Sequence, residues 1–204
     1  MTYSDTFKTI ESVSHGRYKD KGSNFLASAF PVSSESDARF FLDEIRRAHH
    51  DAKHHCYAYL IGREGNLWRA NDDGEPSGTA GRPILGQIRS LGLTNVMIAV
   101  TRYFGGTLLG VSGLINAYKS AARDALSNAR IIDHIILETY EITFPYSAIN
   151  DVMKILKGED AGQSDHRFDV ECKMTINFRS SAHDRLFTRL QRIDSFGYRF
   201  ISVG

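Results

Sequence analysis

The chain is poor in the features that mark extracellular and membrane proteins. It has only two cysteines, Cys56 and Cys172, which lie in different halves of the sequence. It also has no run of about 20 apolar residues that could span a bilayer. The start, Met1–Asp5, lacks the basic flank and apolar stretch of a signal peptide. These absences predict a soluble protein of the reducing cytoplasm, without a disulfide framework.

The sequence also lacks the short motifs of the common enzyme classes. It contains no GxSxG elbow, no Walker-type GxxxxGKS or GxxxxGKT loop, no HExxH and no GxGxxG. Standard hydrolases, NTPases, proteases and dehydrogenases therefore have no support, and no nucleophile with its base is recognisable. No cofactor is predicted.

Charge is balanced in total but uneven along the chain. The net charge is +1, yet residues 76–130 hold 6 Lys and Arg against 1 Asp or Glu, while the segments on either side are slightly acidic. The six cations are Arg82, Arg89, Arg102, Lys119, Arg123 and Arg130. Such a patch attracts phosphates, although a solvated basic surface gives the same pattern.

Glycine is concentrated in residues 72–110, which hold eight of the 17 glycines. This density predicts tight turns, or positions where another backbone segment comes so close that a side chain cannot fit. Gly105 or Gly106 is expected to be such a position. The stretch from Thr101 to Gly110 joins a predicted strand to a predicted helix, so its N–H groups could bind an anion beside Arg102. Its aromatic pair, Tyr103-Phe104, could stack on nucleic-acid bases or simply complete a buried strand.

Three carboxylates, Asp72, Asp73 and Glu75, precede the first glycines of this stretch. They could hold a magnesium ion against a phosphate. The same residues are also typical of a turn that caps the following helix.

Histidines cluster just before these motifs, as His49-His50 and His54-His55-Cys56. Adjacent histidines on a strand point to opposite faces, so at most two or three of the five side chains could converge on a metal. The alternative is a helix end followed by a buried thiol. We predict no metal site, and His54 and His55 remain candidates for contacting RNA or a substrate phosphate.

Hydrophobic periodicity predicts an α+β protein with two domains, residues 1–133 and residues 134–204. In the first, strands are expected over 7–13, 24–32, 56–61, 67–70 and 95–104, and helices after Ser34, over 79–91 and over 111–129. Ser34 and Asp37 form a predicted capping box. In the strand over 24–32, Phe25, Ala27 and Ala29 should face one side of the sheet, and Leu26, Ser28 and Phe30 the other. The second domain reads as strands 135–144, 164–170, 172–178 and 198–203 with helices 146–157 and 182–193. This βαββαβ order is that of the ferredoxin-like fold.

Two motifs resemble a known family. Asp73–Gly81 (DGEPSGTAG) and Arg102–Gly106 (RYFGG) look like the signature of the IMPACT family, called YigZ-like in bacteria. The resemblance implies an N-terminal domain similar to a ribosomal small-subunit protein and to domain IV of elongation factor G, with a left-handed βαβ crossover. The remainder resembles the small domain that bacterial members append, similar to the fifth domain of elongation factor G.

The resemblance also implies a function, because eukaryotic relatives regulate translation. We expect a regulatory or binding protein that contacts RNA, the ribosome or a translation factor through its basic, glycine-rich face. The alternative is an enzyme that acts on a small phosphorylated compound bound at the Gly105–Gly110 loop. No membrane partner is expected, and the sequence specifies neither an oligomeric state nor a ligand.

Two sets of candidate site residues follow. The anion- or nucleic-acid-binding set comprises Arg82, Arg102, Tyr103, Gly105, Gly106, Gly110, Lys119 and Arg123. The family-motif surface comprises His54, His55, Asp73, Gly74, Glu75, Pro76, Ser77 and Gly78.

Overall fold

A computed structural model describes residues 5–204 and has mixed α/β architecture. The strands are β1 (Thr6–Ile10), β2 (Ser14–Asp20), β3 (Ser23–Pro31), β4 (His54–Ile61), β5 (Leu67–Asn71), β6 (Val96–Tyr103), β7 (Ile131–Ile135), β8 (Leu137–Pro145), β9 (Gly162–Arg167), β10 (Glu171–Arg179) and β11 (Gly197–Val203). The helices are α1 (Glu35–Ala48), α2 (Gly81–Ser90), α3 (Gly110–Ser127), α4 (Ile149–Gly158) and α5 (His183–Leu190). No helix within the described range is both long and apolar enough to cross a bilayer.

The chain divides into two compact units. The first is Lys8–Asp133, and the second combines His134–Gly204 with residues from the start of the chain. Strands β1 and β7 pair in a two-stranded sheet. The assignment of domains to residues 1–133 and 134–204 is kept as a prediction.

The first unit is built on a five-stranded sheet in the order β2-β3-β6-β4-β5, whose neighbouring strands are all antiparallel. Alternation along β3 separates its side chains between two cores, as the sequence predicts. Phe25, Ala27 and Ala29 pack with α2 and α3, while Phe30 packs with α1. The sheet is therefore covered on both faces, and β6 lies at its centre.

Helix α1 begins where the sequence predicts. The Ser34 hydroxyl accepts from the Asp37 amide, and the Asp37 carboxylate accepts from the Ser34 amide, which completes the capping box.

The loop after β6 requires glycine for two separate reasons. A Cβ on Gly105 would lie 1.9 Å from the carbonyl carbon of Gly22, and Gly106 has φ +87°. The expectation that one of these positions is closely approached or left-handed is confirmed.

The second unit has a four-stranded sheet in the order β11-β8-β10-β9, antiparallel throughout. Helices α4 and α5 bury Val152, Leu156, Leu186 and Leu190 in one core with Ile142 and other residues of the sheet. Four strands and two helices follow one another as βαββαβ.

Several element bounds differ from the sequence prediction, and three of the differences have a clear physical reason. Strand β2 was not predicted, because SHGRYKD is polar and only alternate residues are shielded. The strand expected over 135–144 is interrupted at Ile136, whose amide donates to the Asp5 carbonyl. The helix expected from residue 79 begins at Gly81, since the Asp72 carboxylate binds the amides of the preceding turn.

Candidate functional site

The two glycine-rich motifs meet at one cavity of about 760 Å³ in the first unit. It lies where the end of β6, the start of α3, the segment leading into β4 and the turn at Glu75-Pro76 come together. The lining residues are Asp51, Ala52, Lys53, His54, Glu75, Pro76, Arg102, Tyr103, Phe104, Leu108, Leu109, Gly110, Val111 and Leu114. Its volume is in the range of small-ligand sites, about 300–1,000 Å³.

A buried ion pair joins the two motifs. Arg102 Nη1 donates to Glu75 Oε1 at 2.7 Å, and the two side chains are only 7% and 4% exposed. The same Glu75 oxygen accepts from the Tyr118 hydroxyl at 2.7 Å. The Arg102 guanidinium also lies 5.5 Å from the ring centroids of Phe25 and Phe104. Its Nε is buried and has no hydrogen-bond partner among the residues that the structure describes.

Cys56 and Tyr118 extend this network into the core. The Cys56 thiol lies 3.0 Å from the Asp72 carbonyl oxygen and 3.3 Å from the Tyr118 hydroxyl. Burial raises the pKa of the Cys56 thiol well above its usual range. Burial also raises the pKa of the Tyr118 hydroxyl well above its usual range, and the neighbouring Cys56 and Glu75 add to this effect. Both groups therefore stay neutral, and Cys56 is not an activated nucleophile.

Asp72, which directly precedes the DGEPSGTAG turn, has a structural role in it. Its carboxylate accepts from the amides of Gly78, Ala80 and Gly81 at 2.8–2.9 Å. Burial raises the pKa of Asp72, but these three hydrogen bonds outweigh burial and hold it below the usual value of 3.8. The turn-and-cap interpretation of this carboxylate therefore fits better than a magnesium ligand.

The histidines are also engaged in the fold. His54 Nδ1 donates to the Asp73 carbonyl at 2.8 Å, and His55 Nε2 donates to the His49 carbonyl at 3.0 Å. The His55 amide donates to the Asp73 carboxylate. Within residues 5–204, no group of three or more His, Cys, Asp or Glu side chains is placed to hold a metal ion.

The cavity mouth combines a polar cluster with an apolar rim. The Tyr103 hydroxyl donates to Asp51 Oδ1 at 2.9 Å and accepts from His49 Nδ1 at 3.0 Å. The hydrogen bond from Tyr103 lowers the pKa of Asp51. Phe104 and Leu108 are 55% and 82% exposed and form the rim. Tyr103 is thus bound within the cluster, whereas Phe104 is the accessible aromatic.

The predicted cations occupy two different environments. Arg82 on α2 and Lys119 and Arg123 on α3 are exposed, whereas Arg102 is buried against Glu75. Arg102 is therefore not part of an exposed basic surface, because Glu75 neutralises its charge inside the protein, and its place in the anion- or nucleic-acid-binding set stays a prediction. Arg102, Tyr103 and Gly110 of the anion-binding set line the cavity together with His54, Glu75 and Pro76 of the family-motif set. Arg82, Lys119 and Arg123 do not line it.

Sequence reasoning missed Asp51, Lys53 and Tyr118. Asp51 and Lys53 lie between the two histidine pairs and carry no pattern of their own. Tyr118 did have a usable signal, since it stands among the alanines of the buried face of α3. A tyrosine there needs a partner for its hydroxyl, and Glu75 is that partner.

Both motifs lie in a segment of the chain that is similar to known proteins. The family model for the Impact N-terminal domain matches residues 21–126. The chain is similar to the IMPACT family member YvyE of Bacillus subtilis, with 32% identity over 74% of this chain and 70% of the relative. It is also similar to an IMPACT family member of Thermus thermophilus, with 42% identity over 66% of this chain and 72% of the relative.

A solved structure has a similar fold. The crystal structure of a hypothetical protein aligns with a TM-score of 0.71 and 24% identity, covering 98% of this chain and 99% of that one. The family model and the curated relatives cover the two motifs that surround the cavity. The chain belongs to the IMPACT family.

Proposed function

We propose that this protein is a translation-associated binding protein of the cytoplasm that contacts RNA through the outer surface of α2 and α3. We call this surface the basic face and define it by Arg82, Arg89, Lys119 and Arg123. The observation that carries the proposal is that α2 and α3 present exposed cations with almost no opposing carboxylate.

The charges of the basic face are largely free to act. Among the described residues, Arg82, Lys119 and Arg123 have no ion-pair partner within 4 Å, although Arg82 lies near enough to the Asp72 carboxylate to help lower its pKa, and Arg89 lies over the Trp68 ring at 5.0 Å. Asp124 is the only acidic residue on either helix, and its carboxylate accepts from the Arg17 amide. Unpaired cations beside one engaged carboxylate attract a phosphate backbone.

The rival function, an enzyme for a small phosphorylated compound, has less support. Arg102 is neutralised by Glu75, so it is not a free cation for a phosphate. Asp72 is held by three amides, so it is not a free ligand for magnesium. Neither group is available for phosphoryl transfer in this arrangement.

The link to translation rests on family resemblance. We infer that the second unit has the ferredoxin-like fold, since its βαββαβ order and its sheet order β11-β8-β10-β9 match that topology. We further infer a left-handed crossover in the first unit from the resemblance to translation-factor domains. Fold likeness alone does not establish function, so the RNA contact needs a direct test.

The test is a salt series with decauridylate, an unstructured single strand. The double variant Lys119→Gln/Arg123→Gln removes two phosphate contacts, so the slope of log affinity against log salt should fall in magnitude by about 1.4. The control is Arg39→Gln/Arg47→Gln, which removes two exposed charges from α1 on the opposite side of the sheet. Equal slopes for the basic-face variant and wild type, or no binding at low salt, would reject the proposal.

A further inference from the structure

We propose that the cavity beside the basic face takes one unpaired base of the bound RNA. This inference rests on the proposed function and adds a second, uncharged component to it. The basic face would hold the phosphates, and the cavity would hold a base.

The first observation is an unpaired donor. Arg102 lines the cavity, and its buried Nε has no hydrogen-bond partner within the described range. A buried N–H without an acceptor costs about 1–3 kcal/mol. Nε is shielded in this structure, so a small shift of the Arg102 side chain has to expose it before an oxygen or ring nitrogen of a ligand in the cavity can accept from it and remove this cost.

The second observation is the charge of the cavity. Arg102 and Glu75 form a close pair, so neither presents an unbalanced charge to a ligand. Lys53 and Asp51 at the mouth also carry opposite charges. This balanced arrangement suits an uncharged polar ligand better than a phosphate, and a nucleobase is such a ligand.

The third observation is the apolar wall. Phe104, Leu108, Leu109, Val111 and Leu114 line the cavity, and Phe104 remains more than half exposed. A base has two apolar faces and polar edges, so it can stack on Phe104 while its edge reaches Arg102. The volume of about 760 Å³ accommodates a single base with room for its sugar.

The fourth observation is continuity with the basic face. Gly110, Val111 and Leu114 at the start of α3 line the cavity, and Lys119 and Arg123 follow on the same helix. At about 1.5 Å per residue, Lys119 lies about 8 Å further along the axis than Leu114. One short strand can therefore place a base in the cavity and its neighbouring phosphates on α3.

The experiment uses the full chain and two small probes, adenosine and ribose 5-phosphate. The NMR signal of the Arg102 Nε–H group should move on addition of adenosine and stay in place with ribose 5-phosphate. Phe104→Ala should weaken adenosine binding about tenfold, within the range measured for base–aromatic stacking. Phe40→Ala is the matched control, because Phe40 is 58% exposed on α1, on the opposite side of the sheet.

The outcomes separate this inference from the proposed function. If decauridylate binds with the expected salt dependence but adenosine leaves the Arg102 signal unmoved, the base site is overturned and the RNA function stands. Movement with ribose 5-phosphate instead of adenosine also overturns it, in favour of a phosphate ligand. Adenosine binding without decauridylate binding rejects the RNA function and, with it, an RNA base as the occupant, and the cavity would then be a site for a free nucleoside.

Discussion

Arg102 and Glu75 form an ion pair that is shielded from solvent and joins the two motifs of the family. Arg102 is the second-last residue of the central strand β6, and Glu75 lies in the turn before α2, so the pair fixes one wall of the cavity against the other. The partners stabilise each other because neither charge is left unpaired in a buried environment.

Removing one partner should therefore be costly. Glu75→Ala should lower the free energy of unfolding by about 3–5 kcal/mol, because it leaves Arg102 buried without its counter-ion. Urea denaturation measures this value. The control is Glu11→Ala, which breaks the exposed Glu11–Arg130 pair and should cost at most about 1 kcal/mol. Similar losses for both variants would contradict the buried role of Glu75.

Two glycine substitutions should have opposite signs. Gly105→Ala should destabilise the protein by about 3 kcal/mol or more, since its Cβ would overlap the backbone of Gly22 and Ser23. Gly86→Ala lies in helix α2 with nothing within 4 Å of the new Cβ, and should stabilise it by about 0.5–1 kcal/mol. Thermal unfolding of the two variants tests both predictions. An unchanged melting temperature for Gly105→Ala would show that the backbone near Gly22 moves easily to make room for the new Cβ.

Acid should weaken the cap made by Asp72. The pKa of Asp72 is lower in the folded protein than its unfolded value of about 3.8. The carboxylate therefore stabilises the fold when the pH is above about 3.8, and this contribution is lost as the pH falls through the folded-state pKa. Asp72→Asn should lose about 1 kcal/mol at neutral pH, because the neutral amide oxygen accepts from the three backbone amides less strongly than the carboxylate does.

The difference between wild type and Asp72→Asn should shrink as the pH falls below about 3.8, because the wild-type carboxylate becomes protonated first in the unfolded chain and then, at lower pH, in the folded protein. Denaturation at a series of pH values checks this. Asp43→Asn, at an exposed position on α1, is the control and should change stability little. A difference that stays constant down to pH 2 would argue against the capping carboxylate.

Both cysteines should be unreactive in the folded protein. Cys56 and Cys172 are fully buried, and burial raises the pKa of the Cys56 thiol. Since the thiolate is the reactive form, a thiol-specific disulfide reagent should modify neither residue at neutral pH. Both should react in urea. Rapid modification of one thiol under native conditions would indicate local opening around it.

The sequence predicts those features that depend on local pattern. The Ser34–Asp37 capping box and the two faces of β3 are confirmed, because helix caps and strand alternation involve residues close in sequence. The burial of Arg102 was not predictable in this way. Glu75 stands 27 positions away and meets Arg102 only after the turn folds onto the end of β6. A count of cations along the chain does not distinguish a buried arginine from an exposed one, so it gave no sign that Arg102 is shielded.

The contact between Gly22 and Gly105 restricts how this part of the protein can evolve. A Cβ on Gly22 would lie 2.8 Å from the carbonyl oxygen of Gly105, and a Cβ on Gly105 would lie 1.9 Å from the carbonyl carbon of Gly22. A larger residue at one position is often compensated by a smaller residue at its neighbour. Here both residues are already the smallest available, so no substitution within the pair can restore the space. Any replacement has to be accommodated by separating the two chain segments, which would move the loop that bounds the cavity.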